Sequence, residues 1–183
     1  MRGYFGVGVE GASKAMNVGS LLRTAHAFGA SFVFTVAAVY RRDEGGRADT
    51  SDTPGAVPFY AYDSVEALRL PRFCVLVGVE IADDAIDLPS FRHPRCAAYV
   101  LGPERGALSA QMTALCEHVV RIPTRFSINL ALAGALVMYD RLISLGRFAE
   151  RPIAAGTPPV ALPKHAFGLP RLKRRAAAAK SKI

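Results

Sequence analysis

Three short stretches carry side chains able to handle an anion or a proton. In the first, residues 17–30, NVGSLLRTAHAFGA sets Asn17, Gly19 and Arg23 as N-x-G-x-x-x-R where a turn leads into a helix. The start of a helix favours negative charge, and a guanidinium about two turns in grips a phosphate or a developing alkoxide with two parallel hydrogen bonds. His26 lies one turn beyond. The second stretch, VLGPERGALS over residues 100–109, follows an apolar strand with a tight glycine-proline turn that presents Glu104. Its backbone can approach a ligand closely. The third, RIPTRFSINLALAGALVMYD over residues 121–140, places Ser127 and Asn129 at a helix start, followed by the small residues Ala131, Ala133, Gly134 and Ala135 that allow close packing. Each has a plain structural reading as well: Asn17 and Ser127 as caps, Arg23 as a solvated helix residue, Glu104 as a surface acid.

Residues Gly6, Gly8 and Gly11 spell G-x-G-x-x-G, nominally a dinucleotide-binding fingerprint. The context opposes it. The pattern lies inside the first apolar run instead of after it, and no acid stands between Glu10 and Asp43 to hold a ribose. The glycines read better as sites of close packing.

The elements that must position these residues follow from periodicity. YFGVGVE reads as a buried first strand, and the helix after it runs from a cap at Asn17, with Leu21, Ala25 and Phe28 on one face, to a stop at Gly29. SFVFTVAAVY, VPFYAYD, FCVLVGVE, CAAYVLG and HVVRIP read as further strands. FCVLVGVE and CAAYVLG are apolar almost throughout, as in parallel sheets covered on both faces. Between strands, VEALRL is expected to be a brief helix capped by Asp63 or Ser64 and ended by Pro71, LSAQMTALC a second, and NLALAGALVMYDRLISLGRF a long, mostly buried one. The glycine-bearing RRDEGGRADTSDTPGAV is expected to be a long loop over one face. Strands alternating with helices define an α/β fold with a mostly parallel sheet.

At 183 residues the chain suits one core without a metal or disulfide staple. Cys74, Cys96 and Cys116 are odd in number and set among apolar neighbours, the pattern of buried reduced thiols. The four histidines show no ligand spacing, so no metal is expected. No apolar run reaches the roughly 18 positions of a membrane span, and MRGYFGVGVEG does not read as a secretory signal, so the expectation is a soluble, cytosolic protein. The net charge of +8 is unevenly placed: residues 151–183 hold 8 basic residues and no acid, while residues 1–150 balance. The expected organisation is therefore a folded domain over residues 1–150 and a proline-rich basic extension over 151–183. Arg171, Lys173, Arg174, Arg175, Lys180 and Lys182 can track a phosphate backbone.

Taken together and in this order, the three stretches resemble the SpoU, or TrmH-like, branch of the SPOUT methyltransferases, over residues 4–147. The family's N-x-G-x-x-x-R-x-A is matched by Asn17, Gly19, Arg23 and Ala25, its leucine-glycine-x-glutamate turn by Leu101, Gly102 and Glu104, and its isoleucine-proline with serine-x-asparagine by Ile122, Pro123, Ser127 and Asn129. Two features depart from the pattern: Gly106 stands one position before the family's second turn glycine, where this chain has Ala107, and the loop Thr124, Arg125, Phe126 is short.

The resemblance implies a C-terminal trefoil knot, a homodimer, S-adenosylmethionine as cofactor and methylation of a ribose 2′-hydroxyl of RNA, tRNA more readily than rRNA. It places cofactor contacts at Val77, Gly78 and Val79, at Leu101, Gly102 and Gly106, and at Ile122 and Ser127. It makes Arg23 the catalytic residue, oriented with the ribose by Asn17, Ser127 and Asn129, with Glu104 bracing its turn. Two alternatives stay open from the residues alone: methylation of a base nitrogen, and an RNA-binding module with a vestigial cofactor site.

Overall fold

The computed structural model describes residues 3–39 and 56–162. The long loop expected over residues 41–57 falls almost wholly outside them, as do the six basic residues singled out between 171 and 182. The chain divides into two units, Met1–Gly146 and Arg147–Ile183. In the second, residues 147–162 form turns and extended backbone without helix or strand.

The first unit is built on seven strands: β1 (Tyr4–Glu10), β2 (Phe32–Val36), β3 (Phe59–Tyr62), β4 (Val75–Val79), β5 (Ile86–Asp87), β6 (Cys96–Leu101) and β7 (His118–Arg121). Among the described residues three α-helices accompany them: α1 (Ala15–Ala27), α2 (Ala110–Leu115) and α3 (Leu130–Leu145). Every strand pair is parallel, in the order β3-β2-β1-β6-β4-β7-β5. The order turns at β1, which has β2 on one side and β6 on the other. Because all strands run one way, their C-terminal ends share an edge, where Val9 lies beside Leu101, Leu101 beside Val79, and Val79 beside Val120. Ligand crevices of open α/β sheets form at such an edge, next to the turn in strand order.

Alternation along the strands feeds two cores. Val7, Val9, Val77, Val79, Tyr99 and Leu101 point to the face covered by α1 and α3, where they meet Val18, Leu21, Leu130, Val137 and Met138. Phe32, Phe34, Leu76, Ala98 and Val100 point to the other face and meet Leu108 and Met112. Gly6 and Gly8 lie on this second face; a Cβ at Gly6 would sit 2.3 Å from the Phe32 ring, and one at Gly8 2.5 Å from the Phe34 ring. Gly6 and Gly8 therefore make room for two phenylalanine rings, the close packing expected of them. On the first face a Cβ at Gly134 would stand 2.3 Å from Leu21 Cδ1, so the small residues of α3 do let it close on α1.

Some elements differ from the sequence reading. VEALRL forms turns, not a helix: Ala67 and Leu68 donate to the carbonyls of Ser64 and Val65, and Arg69 reaches back to the carbonyls of Glu66 and Leu68. Six residues before a proline leave too few helical hydrogen bonds to repay nucleation. Strand β2 stops at Val36 because Ala37 takes a left-handed conformation, φ 49°. β5 is only two residues long, too short for any periodicity to announce it. α3 is not buried all round; Leu132, Leu136 and Tyr139 form an exposed apolar stripe. The three cysteines are free, but half-buried rather than buried, and burial pushes the Cys74 and Cys116 thiols up to about 11.

The far edge of the sheet is tied by a buried polar cluster. Arg141 of α3 donates to the carbonyls of Tyr4, Pro94 and Arg95 and to the Tyr99 hydroxyl, while His93 bonds Tyr99 at 2.6 Å and Asp140 at 2.8 Å. A guanidinium with only 6% exposure persists there because each side of its fork finds oxygen.

Candidate active site

At the C-terminal edge a cavity of about 320 Å³ is lined by residues of four segments: Val79, Glu80 and Ile81 after β4, Leu101 to Gly106 after β6, Ile122 and Thr124 after β7, and Ser127, Ile128, Leu130 and Ala133 at the start of α3. Its walls mix aliphatic side chains with carboxylates, a guanidinium, hydroxyls and loop backbone.

Glu104 ties the site together. Its carboxylate accepts from the Ser13 backbone N–H at 3.1 Å, the Ser13 hydroxyl at 2.9 Å, the Lys14 N–H at 3.2 Å and Asn17 Nδ2 at 3.1 Å. This explains the start of α1. Lys14 stands at the N-cap with no side-chain cap of its own, and a glutamate 90 positions along the chain supplies one instead. Asn17 is therefore not the cap, as its sequence context suggests, but the third residue of the helix, facing the site. Its Oδ1 accepts from Asn129 Nδ2 at 3.1 Å, while Asn129 caps α3 by accepting from the Ala131 N–H at 2.9 Å. Three separated motifs thus meet in one chain of hydrogen bonds, Glu104 to Asn17 to Asn129. Burial raises the Glu104 carboxyl, but its turn N–H groups, Ser13 and Asn17 outweigh that and hold it below the usual carboxylate range.

Two more glutamates do related work. Glu10, ending β1, accepts from the Ser109 N–H at 2.8 Å and hydroxyl at 2.6 Å; Ser109 in turn caps α2 by accepting from the Met112 N–H. Glu80, one residue past β4, accepts from the N–H groups of Ile81 at 2.8 Å and Leu108 at 2.9 Å. This second bond crosses Gly102, where a Cβ would lie 3.1 Å from both Glu80 Oε2 and Leu108 N. Neither acid was singled out from the sequence, though each is the lone charge closing an apolar strand.

Of the expected cofactor residues, Val79, Leu101, Gly102, Gly106, Ile122 and Ser127 line the cavity. Val77 and Gly78 do not: they lie deeper in β4, Val77 fully buried and Gly78 directed at Cys116, Leu108 and Val119. Gly106, early by one position, sits at φ 114°, a conformation open to glycine and strained for other residues. Arg23 is exposed on α1, outside the cavity wall, and no described residue hydrogen-bonds its guanidinium. The Ser127 hydroxyl likewise makes no hydrogen bond among the described residues.

An all-parallel sheet with a cavity among the strand-end loops of its C-terminal edge defines the class of α/β proteins whose ligand crevices form at that edge. The SpoU rRNA methylase family model matches residues 5–139, and the chain belongs to that family. The fold agrees with solved structures. AviRb, a SpoU methyltransferase from Streptomyces viridochromogenes, is 26% identical, with a TM-score of 0.67 over 76% of this chain and 59% of its own. An AdoMet-bound rRNA methyltransferase from Sinorhizobium meliloti is 23% identical, with a TM-score of 0.70 over 79% of this chain and 58% of its own. This chain thus spans just under three-fifths of the length of both. A structure described by the 2-OH methylation of C/U34 on tRNA is 22% identical, with a TM-score of 0.65 over 78% of this chain and 91% of its own. No curated protein matches the sequence. The family's cofactor is S-adenosylmethionine, with which AviRb has also been crystallised. Among the described residues no helix is long and apolar enough to cross a membrane.

Proposed function

We propose that the chain is an S-adenosylmethionine-dependent RNA ribose 2′-O-methyltransferase. The observation that carries the reading is the hydrogen-bond chain that runs from Glu104, on the cavity wall, to Asn17 and on to Asn129, joining the three motifs beside the cavity. The residues present suit the cofactor: aliphatic Val79, Leu101, Ile122, Ile128 and Leu130 for its adenine, loop N–H and C=O groups and Ser127 for its polar parts. When bound, it supplies a methyl group on a sulfonium sulfur.

The chain's own part is to hold the ribose and manage the hydroxyl proton. The bond from O2′ to the methyl carbon forms as the carbon–sulfur bond breaks, and the O2′ proton leaves. A guanidinium is a poor proton acceptor. Arg23, free of described protein partners, keeps its donors for substrate, which supports a charged Arg23 stabilising the forming alkoxide while water or phosphate takes the proton. Asn17, Ser127 and Asn129 orient the sugar, and Glu104 holds the turn and the helix start. A tRNA substrate is favoured over rRNA because the structure of nearly matching length is described by tRNA methylation. The apolar stripe of Leu132, Leu136 and Tyr139 supports a homodimer, and the late insertion of β6 and β7 between earlier strands supports the trefoil knot.

The test is transfer to RNA, with product nucleosides separated after digestion. Arg23→Ala is expected to lower turnover at least a hundredfold while calorimetry shows S-adenosylmethionine bound as in the parent. Turnover within threefold of the parent removes Arg23 from the mechanism, and methyl groups found on a base nitrogen replace the ribose reading with its alternative.

A further inference from the structure

We propose that Phe126 is the platform on which the base of the target nucleotide stacks, with Arg125 and Arg105 pairing the phosphates beside it; this rests on the cavity being the methyl-donor site. Phe126 is 75% exposed, although it lies between Thr124 and Ser127, both of which line that cavity. Its turn is fixed: the Thr124 N–H donates to the Ile122 carbonyl at 2.7 Å, and the Thr124 hydroxyl donates to the Phe126 carbonyl at 2.9 Å. A pinned backbone that displays an aromatic ring to water offers a large flat contact at the cost of only two side-chain torsions.

The charge around the ring suits RNA. Arg125 is exposed, Arg105 is exposed on the cavity rim, and neither makes an ion pair with a described residue. The carboxylates of Glu80 and Glu104 are directed at N–H and hydroxyl donors of the protein and form no ion pair with either arginine among the described residues. Exposed arginines flanking a cavity beside a displayed aromatic are the composition of single-strand nucleic-acid sites. The chemistry points the same way. Methylation of a sugar oxygen leaves the base outside the reacting atoms, so something must hold it without demanding its identity, and stacking does so because every base has a π-face.

The chain has no tryptophan, so Phe126→Trp puts a single fluorescent reporter at the position. The full chain carrying it is titrated with an eight-nucleotide oligoadenylate and with an abasic ribose-phosphate oligomer of equal length. Emission is expected to be quenched by the first and unchanged by the second. The parent is expected to bind oligoadenylate about 5- to 100-fold more tightly than the abasic strand. Phe126→Ala should erase that ratio with S-adenosylhomocysteine affinity unchanged, and Arg125→Ala should weaken both strands alike. Unquenched emission at saturating oligoadenylate, or a ratio that survives in Phe126→Ala, overturns the proposal. So does emission already blue-shifted and indifferent to either oligomer, which would mean that a second copy of the chain covers the ring. Failure of the parent to bind S-adenosylhomocysteine would instead sink the methyl-donor reading, while the quenching experiment still reads the stacking by itself.

Discussion

Glu104 concentrates more of the site in one side chain than any other residue described. Its four acceptor contacts join the turn after β6 to the start of α1 and, through Asn17, to α3. Glu104→Ala leaves the Ser13 and Lys14 N–H groups without their partner, for which about 1–3 kcal/mol of stability should be lost in urea unfolding at neutral pH. Glu104→Gln keeps the shape but not the charge. Since the folded carboxyl lies below its ordinary value, its stabilising contribution is present above the unfolded carboxylate pKa and disappears as pH falls through the folded value. The stability gap between parent and Glu104→Gln should therefore be widest near neutrality and close in acid. A gap that stays constant with pH would show that the charge is not what the helix start needs.

At the scale of elements, glycine on β1 fixes which face of the sheet takes the aromatic rings. Adding a methyl at Gly8 gains some backbone rigidity in the unfolded chain, at most about 1 kcal/mol. Against it stands a 2.5 Å approach to the ring of Phe34, itself 1% exposed with no room to withdraw. Overpacking of this kind costs about 1–3 kcal/mol, so Gly8→Ala should destabilise on balance, and Phe34→Leu in the same chain should recover part of the loss. Thermal unfolding of both variants reads it; an unaltered single variant would mean that the ring moves freely.

These elements also show where sequence is legible. β1, α2 and α3 could be read from their apolar period, but the cap of α3 is Asn129 and not Ser127, which two positions earlier looks equally suited to the task. The α1 start could not be placed, since its cap comes from Glu104, and no local pattern encodes a partner 90 positions away. VEALRL has helix-forming residues but not the length to use them. Within the site, the motif residues could be named, while Glu10 and Glu80 were passed over because a lone acid after a strand resembles any strand end. The exposure of Arg23 likewise depends on how α1 rolls against α3, set by contacts such as Gly134 with Leu21.

For the whole molecule, charge is unevenly distributed along the sequence. The excess of positive charge belongs to residues 151–183, beyond the unit that carries the cavity. Replacing Arg171, Lys173, Arg174, Arg175, Lys180 and Lys182 by glutamine in the full chain should weaken RNA binding and reduce the slope of log K against log salt by roughly 4 units if all six meet a single strand. Cofactor affinity should not move. An unchanged slope would assign the extension some task other than holding RNA.

Because α1 takes its cap from the turn after β6, a ribosome must finish about the first hundred residues before that helix can be fixed at its root. Until then Asn17 has neither Glu104 nor Asn129 to face, and a growing polypeptide exposes its first motif without a working arrangement. The arrangement is complete only when α3 has closed on α1 and brought Asn129 to Asn17.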